Sequence, residues 1–396
     1  MLSNDQAPSA SEQSENNQNN NKPPIYWVPT IMFAASTLGV LTLVPWYGFT
    51  YGYETSAWVT YIVITWLTGM AITGGYHRLW SHNAYEAHWV LRLWYVLWGA
   101  SALQNTVLEW CSGHRKHHRY VDDVEHDPYS AKRGLWFSHI GWMLREWPSG
   151  KTDYANVKNL LKDPIVMWQD KYYVWIVLAM NVGLPAALGW MFGDVWGMLL
   201  LAGLLRLFTT HHVTFFINSI AHKWGSQPYT DENTARDNPF FAFLTHGEGY
   251  HNYHHIFQND YRNGIRWYHW DPTKWFIKAC SWVGLASNLK TISDFKIQRA
   301  KVQMQFKRAK EELALRQLKE ADYQRWSAVL ENEYAQFKSM LNDWTNLQGE
   351  RYSSTRQSLA CRWEKAAIRT RYQELEYALR MQHQRMQALM LELTPA

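Results

Sequence analysis

The sequence predicts an all-α integral membrane protein with a metal site at one face of the membrane. Three observations carry that prediction. Four apolar runs are each long enough to cross a bilayer, basic residues are confined to one set of loops, and histidines collect where those runs end. A length of 396 residues would by itself allow two or three domains.

Residues 1–24 include "SEQSENNQNNNKPP" and read as a disordered polar tail. They lack a basic start, an apolar core and a cleavage site, so they are not a signal peptide. A membrane domain is expected over 25–290, because a bilayer core takes ~20 mainly apolar residues. Its spans are predicted at about 25–46, 57–76, 172–192 and 195–220. A further apolar run, "HWVLRLWYVLWGASAL" (88–103), is interrupted by Arg92 and is expected to be an interfacial or partly buried amphipathic helix. The loops "FTYGYETS" (49–56) and "GD" (193–194) carry no Lys or Arg. Segment 77–171 carries Arg78, Arg115, Lys116, Arg119, Lys132, Arg133 and Arg145. The positive-inside rule therefore puts both termini and the long middle loop in the cytoplasm. The membrane would be the inner one in a bacterium, or the endoplasmic reticulum in a eukaryote. A net charge of +5 is too weak and too spread to argue for nucleic acid. Cys111, Cys280 and Cys361 fit neither a disulfide framework nor a C-x-x-C zinc motif.

Of seventeen histidines, nine are expected at the cytoplasmic boundary. His77 and His82 stand in "HRLWSH" as the second span ends. His114, His117 and His118 stand in "HRKHH", His222 closes the fourth span in "NSIAH", and His251, His254 and His255 stand in "HNYHH". On a helix, positions i, i+3 and i+4 share a face, while adjacent residues diverge by about 100°. His117 and His118 can therefore address two different metal ions, and so can His254 and His255. Asn218, four before His222, points its amide at the same place, through a water. His88, His139, His211, His212, His269 and His383 read as packing residues, and His126 and His246 as possible orienting neighbours.

Imidazole suits zinc, copper, iron and nickel. A structural zinc needs four ligands and usually draws on thiolates, which these motifs do not offer. Carboxylate-bridged di-iron bundles need two Glu-x-x-His motifs. Only Glu248–His251 is present, with Gly247 and Gly249 around the glutamate. An all-nitrogen di-iron site fits best. Di-iron activates O2 for substrates without an acidic proton, and the membrane position suggests a hydrocarbon chain.

The stretches "HRLWSH", "EWCSGHRKHH", "NSIAH" and "GEGYHNYHH" resemble the histidine boxes of membrane fatty acyl-CoA Δ9 desaturases of the stearoyl-CoA desaturase type. The flanks "QNTVLEW", Asp127–Pro128, "GLWFSHIGWML" and "YHNYHHIFQNDYR" match as well, so the resemblance covers roughly 25–290. It implies four transmembrane helices under a cytosolic helical cap, and two iron ions held by the nine histidines plus a water on Asn218. It implies a bent acyl tunnel with Gln104, Trp110 and Thr214 near the bend and Asn105 at the thioester end. The implied reaction is O2-dependent insertion of a cis double bond, at Δ9, into stearoyl- or palmitoyl-CoA. Glu109, Asp122, Asp123, Asp127 and Glu248 are candidates to orient the rings. Two departures matter. Animal members carry an Arg-Asp pair just before the second box, where "CSG" (Cys111–Gly113) stands here, which bears on the CoA carrier. No haem-binding segment such as a fused cytochrome b5 is recognised, so a separate donor is expected: cytochrome b5, ferredoxin or rubredoxin with its reductase.

Residues 291–394 contain no proline and one glycine, Gly349. Tyr323, Trp326, Leu330, Tyr334, Phe337, Leu341 and Trp344 recur at spacings of three and four, a heptad-like stripe. With "TNLQGERYSST" (345–355) read as a turn, the 291–396 extension is expected to be a helical hairpin, packed on itself, dimerising as a coiled coil, or docking an electron donor or the cytosolic cap. The rival functional readings are a hydroxylase using the same cluster on alkyl or lipid chains, and a metal transporter. Transport sites lie near the bilayer midplane on broken spans. A zinc hydrolase would leave six of the nine histidines idle.

Overall fold

The computed structural model describes residues 22–316, 318–356 and 362–393, so most of the polar tail expected over 1–24 lies outside the described residues. In chain order the principal helices are α1 (Trp27–Thr50), α2 (Thr55–Ser81), α3 (Trp89–Ala100), α4 (Val107–Tyr120), α5 (Pro164–Phe192) and α6 (Val195–His222). They continue with α7 (Pro239–Leu244), α8 (His251–Ile256), α9 (Pro272–Trp282), α10 (Asp294–Leu315), α11 (Glu320–Arg356) and α12 (Arg362–Leu393). Two short strands, β1 (Glu86–Ala87) and β2 (Ala286–Ser287), pair antiparallel and tie the start of α3 to the chain beyond α9.

Helices α1, α2, α5 and α6 are each long and apolar enough to cross a membrane, with mean hydropathy of 1.4 to 1.7. These are the four spans read from the sequence. Leu38, Leu41, Ile62, Val174, Trp175 and Trp190 point outward, apolar side chains that suit lipid tails. At the end away from the histidines, Tyr47, Tyr51, Tyr53 and Trp58 make a ring cluster of the kind found at membrane interfaces. There the Tyr47 hydroxyl donates to Asp194 Oδ1 at 2.6 Å and joins the two helical hairpins. Span α5 starts eight residues before the predicted 172. Asp163 caps it by accepting from the Ile165 and Val166 amides, and Pro164 fits the first turn. Arg78 of α2 and Asp170 and Lys171 of α5 lie near the ends of their spans, whereas Arg206 lies midway along α6. Arg206 of α6 is buried and donates to Ser101 O at 2.6 Å, Ala202 O at 3.1 Å and Asn181 Oδ1 at 2.5 Å, so its donors are met within the protein.

Helix α3 has twelve residues, about 18 Å of rise, too short to cross a bilayer. It buries Leu91, Tyr95 and Val96, and Arg92 pairs with Asp163, in keeping with a partly buried amphipathic helix. Tyr95 lies directly on the last turns of α2. A Cβ on Gly75 would come within 2.6 Å of the Tyr95 ring, so only glycine lets the two helices meet this closely. The last ten residues of α2, Ile72–Ser81, are wound as a π-helix. Helices α3, α4 and α9 pack against this stretch, which places the histidine-bearing end of α2 under a cap.

The extension differs from the expected hairpin in two ways. Among the described residues it contains three helices, because α10 carries its own apolar stripe (Phe295, Val302, Phe306, Ala309, Leu313) into the shared core with Leu330, Phe337, Leu379 and Met386. Helix α11 also runs straight through the 345–355 stretch read as a turn. A single Gly349 costs about 1 kcal/mol in a helix. That cost is outweighed by packing, because the Trp344 ring stacks on Phe295 at 3.6 Å between ring centres and Leu347 is fully buried. The helix is described as far as Arg356, and residues 357–361 lie outside the described residues.

Candidate metal centre

The nine histidines selected by spacing are brought together as two adjoining groups. Imidazole nitrogens of His77, His82, His114, His118 and His254 form one, those of His117, His222, His251 and His255 the other, and within each group all lie within 4.8 Å of one another. The adjacent rings divide as the 100° step requires: His117 from His118, and His254 from His255. Helices α4 and α8 therefore each serve both groups, while α2 serves only the first and α6 only the second.

Local winding explains how α2 contributes two rings. On an α-helix, residues five apart diverge by about 140°. In the π-helical stretch, five residues close nearly one turn, and the His82 amide donates to His77 O at 3.2 Å. The rings of His77 and His82 come within 4.8 Å. Helix α6 likewise tightens into a 3-10 turn over Ile220–His222. Asn218, half-buried, lies four residues before His222.

The Nε2 atoms converge. His254 Nε2 is 2.9 Å from His77 Nε2 and 3.0 Å from His118 Nε2, and His82 and His114 approach at 2.8 Å. In the second group, His251 Nε2 is 3.0 Å from His222 Nε2 and 3.1 Å from His255 Nε2, which is 3.3 Å from His117 Nε2. One ring nitrogen carries at most one proton, so these sets cannot be satisfied as ordinary hydrogen bonds. Lone pairs aimed at common points are what a cation requires.

The opposite nitrogens are held from outside. His117 Nδ1 meets Asp127 Oδ1 at 2.9 Å, and His222 Nδ1 meets Thr234 Oγ1 at 2.9 Å, which in turn donates to Asp122 Oδ1. His114 Nδ1 lies 3.3 Å from the Tyr129 hydroxyl. His77 Nδ1 is 3.0 Å from Glu248 Oε2, a carboxylate contact whose angle falls short of a hydrogen bond. Such partners set ring tautomer and direction. Of the five acidic candidates, Asp122, Asp127 and Glu248 take this position. Glu109 sits instead in the first turn of α4, and Asp123 is turned to the surface against exposed His126. His246, the other flanking histidine, lies against Trp66, 4.6 Å between ring centres at a tilt of 58°. Of the presumed packing histidines, His88 is exposed and caps α3. His139 meets His212, and His211 meets Ala102 O. Sequence reasoning missed Arg78, Asp271, Tyr129 and Thr234, residues whose role depends on neighbours brought from elsewhere in the chain.

Gln104, Trp110 and Thr214 also assemble. Trp110 Nε1 donates to Gln104 Oε1 at 3.2 Å, and Gln104 Nε2 donates to Thr214 Oγ1 at 2.9 Å. The Trp110 ring stacks on His114, 4.9 Å between centres. Asn105, next to Gln104, is exposed and holds a left-handed backbone with φ of 74°.

A family model described as fatty acid desaturase matches residues 55–282, more than half of the chain and all nine histidines. The chain belongs to the fatty acid desaturase family. Acyl-CoA desaturase 1 of Saccharomyces cerevisiae is 44% identical over 241 residues, covering 61% of this chain and 47% of the relative. A probable acyl-CoA desaturase of Schizosaccharomyces pombe is 43% identical over 269 residues, 67% of this chain and 56% of the relative. Stearoyl-CoA desaturase 5 of Bos taurus is 39% identical over 229 residues, 57% and 68% respectively. This desaturase-family chain thus spans about half the length of the two fungal relatives.

Burial, and then the neighbouring imidazoles, press the pKa values of His114, His118, His251, His254 and His255 well below the ordinary histidine value, and burial does the same for His82. The neutral rings therefore contribute stability that is complete above the unfolded value of about 6.5 and is lost as pH falls toward the depressed values. Metal ligation requires the same neutral form. Acidification from pH 7.5 to 5 is expected to accelerate metal release into a chromogenic chelator, with a dependence steeper than one proton. A flat release rate across that range would contradict the shared cage.

Proposed function

We propose that the chain is an O2-dependent acyl-CoA desaturase that inserts a cis double bond, at Δ9, into a saturated long-chain acyl thioester such as stearoyl- or palmitoyl-CoA, using two irons. The observation that carries this reading is the pair of adjoining all-imidazole cages built on shared helices at the ends of two spans. The nitrogen spacing supports iron over tetrahedral zinc. At a metal–nitrogen distance of ~2.1 Å, ligands at right angles lie ~3.0 Å apart and tetrahedral ones ~3.4 Å apart. Five of the six close pairs fall between 2.8 and 3.1 Å. The five-histidine group would hold one iron, and the four-histidine group the other, with Asn218 completing it through a water.

Bound iron supplies the O2 activation needed to remove hydrogen from an unactivated methylene, chemistry beyond side-chain acids and bases. The chain supplies position. Buried neutral rings keep the ligand set free of protons, and Asp127, Glu248 and Thr234 fix ring directions. The Trp110–Gln104–Thr214 relay, stacked on His114, would line the acyl passage beside the metals, and its shape would set which carbons come nearest. Asn105, exposed at the surface, would meet the thioester end. The basic cap-side loops support an orientation with the cap and both termini in the cytoplasm. The membrane domain occupies 25–290, with the extension following it. Electrons come from a separate donor, such as cytochrome b5, ferredoxin or rubredoxin.

Lipid analysis after expression in a host lacking its own desaturase tests the reading. New monounsaturated acyl chains, each short of two hydrogens, are expected. Chains that gain oxygen would establish a hydroxylase instead, and unchanged chains with metal bound would overturn the enzymatic assignment.

A further inference from the structure

The loop between α6 and α7, residues 223–238, begins at the ligand His222. Its Thr234 hydroxyl lies 2.9 Å from His222 Nδ1, and both the hydroxyl and the amide of Thr234 donate to Asp122 at 2.6 Å. The loop is gripped on one side by Asn252, from within "HNYHH". Asn252 accepts from the Tyr229 and Thr230 amides and donates to Thr230 O and Ala235 O.

On its other side the loop is gripped by α10, the first helix of the extension. Arg308 donates to Gln227 O at 2.5 Å, and the Gln227 side chain donates to Asn233 O at 2.6 Å, one residue before Thr234. Lys307 pairs with Asp231 at 2.6 Å, and Lys301 lies 5.3 Å from the centre of the Tyr229 ring. Beneath them, Ile297 is buried in a small apolar core with Tyr229 and Tyr253.

We propose that α10 is a brace for the four-histidine site: it holds the 223–238 loop so that Thr234 fixes the tautomer and direction of His222. The proposal rests on the two-iron reading above. Its effect is asymmetric. The five-histidine group takes its contacts from Glu248 and Tyr129, neither of which lies in that loop. The extension therefore acts as a positioning element for one metal of the pair.

The test uses the full chain purified from membranes and loaded with ferrous iron, with iron per chain and its release into a chelator as readouts. Arg308→Ala combined with Lys307→Ala changes two half-exposed contacts and leaves the apolar core intact. The expected result is one tightly held iron, with the second released about 10–100-fold faster than from the wild type, the usual range for losing a ligand's orienting partner. Helix content and melting temperature should stay at wild-type values. Thr234→Val, which removes the orienting hydroxyl directly, should give the same selective loss, and Arg308→Lys should restore slow release. Two irons released at the wild-type rate from the double variant would overturn the brace. So would equal loss from both sites. A wild-type chain that never holds two irons would sink the dinuclear reading and the brace with it, and is told apart by failing before any substitution is made.

Discussion

Replacement of His254 by alanine is expected to abolish desaturation, with product falling more than ~100-fold, while the chain stays inserted and helical. Loss of a partner that merely orients a ligand costs 10–100-fold in metal affinity or activity, and loss of the ligand itself costs more. His254 is a demanding case, because its Nε2 sits between those of His77 and His118 and its helix also carries His251 and His255. The substitution removes the central donor of the five-histidine group and leaves an incomplete set of four rings. It should not unfold the chain, since the spans and the α8 contacts through Asn252 and Tyr253 are untouched. His126→Ala is the matched comparison. That histidine also flanks a box, but it is exposed, with its ring against Asp123 and Tyr120, so activity should be unchanged. Iron content and product analysis on the two purified variants decide the matter. Full activity in His254→Ala would remove the basis for the metal assignment.

The contrast between His254 and His126 also shows what could be read from one sequence. The four spans were legible because bilayer thickness sets a length that composition alone satisfies. The sorting of His117 from His118, and of His254 from His255, was legible because a helix separates neighbours by a fixed angle. The π-winding of Ile72–Ser81 was not, and neither was the close approach of Tyr95 from another helix to Gly75 within it. Nor could chain position tell Asp122, which reaches Thr234 across 112 residues, from Asp123, which turns to the surface. The extension was half legible. Its stripe marked a helix, but the partner that lets α11 run past Gly349 is Phe295 of α10, fifty residues earlier.

Arg78→Met is expected to destabilise the protein by about 3–5 kcal/mol, the usual cost of removing one member of a buried ion pair. Arg78 is 1% exposed and bridges two buried carboxylates. Its guanidinium reaches Glu248 Oε1 at 3.0 Å and both oxygens of Asp271 at 3.0 and 3.1 Å, and also donates to Tyr261 O. Methionine fills similar space, so the loss is electrostatic rather than a cavity. Two carboxylates would remain buried without a counter-charge, one of them against His77, a proposed metal ligand. Lysine should restore only part of the loss, because a point charge cannot fork between Glu248 and Asp271. The pH dependence gives the sign. In the wild type, burial pushes the Glu248 carboxyl up, but His77 and Arg78 outweigh it and hold it below the ordinary glutamate range. Glu248 thus contributes stability above its unfolded value, near 4.3, that is lost on acidification. Without Arg78 the opposing charge is gone and burial raises the carboxyl instead, so protonation relieves the variant. The gap in melting temperature between wild type and variant should be widest near neutrality and narrow as pH falls toward 5. Measuring that gap at each pH cancels the acid sensitivity of the histidine cage, which both proteins share. A gap that stays constant with pH would mean that Arg78 acts by packing and not by charge.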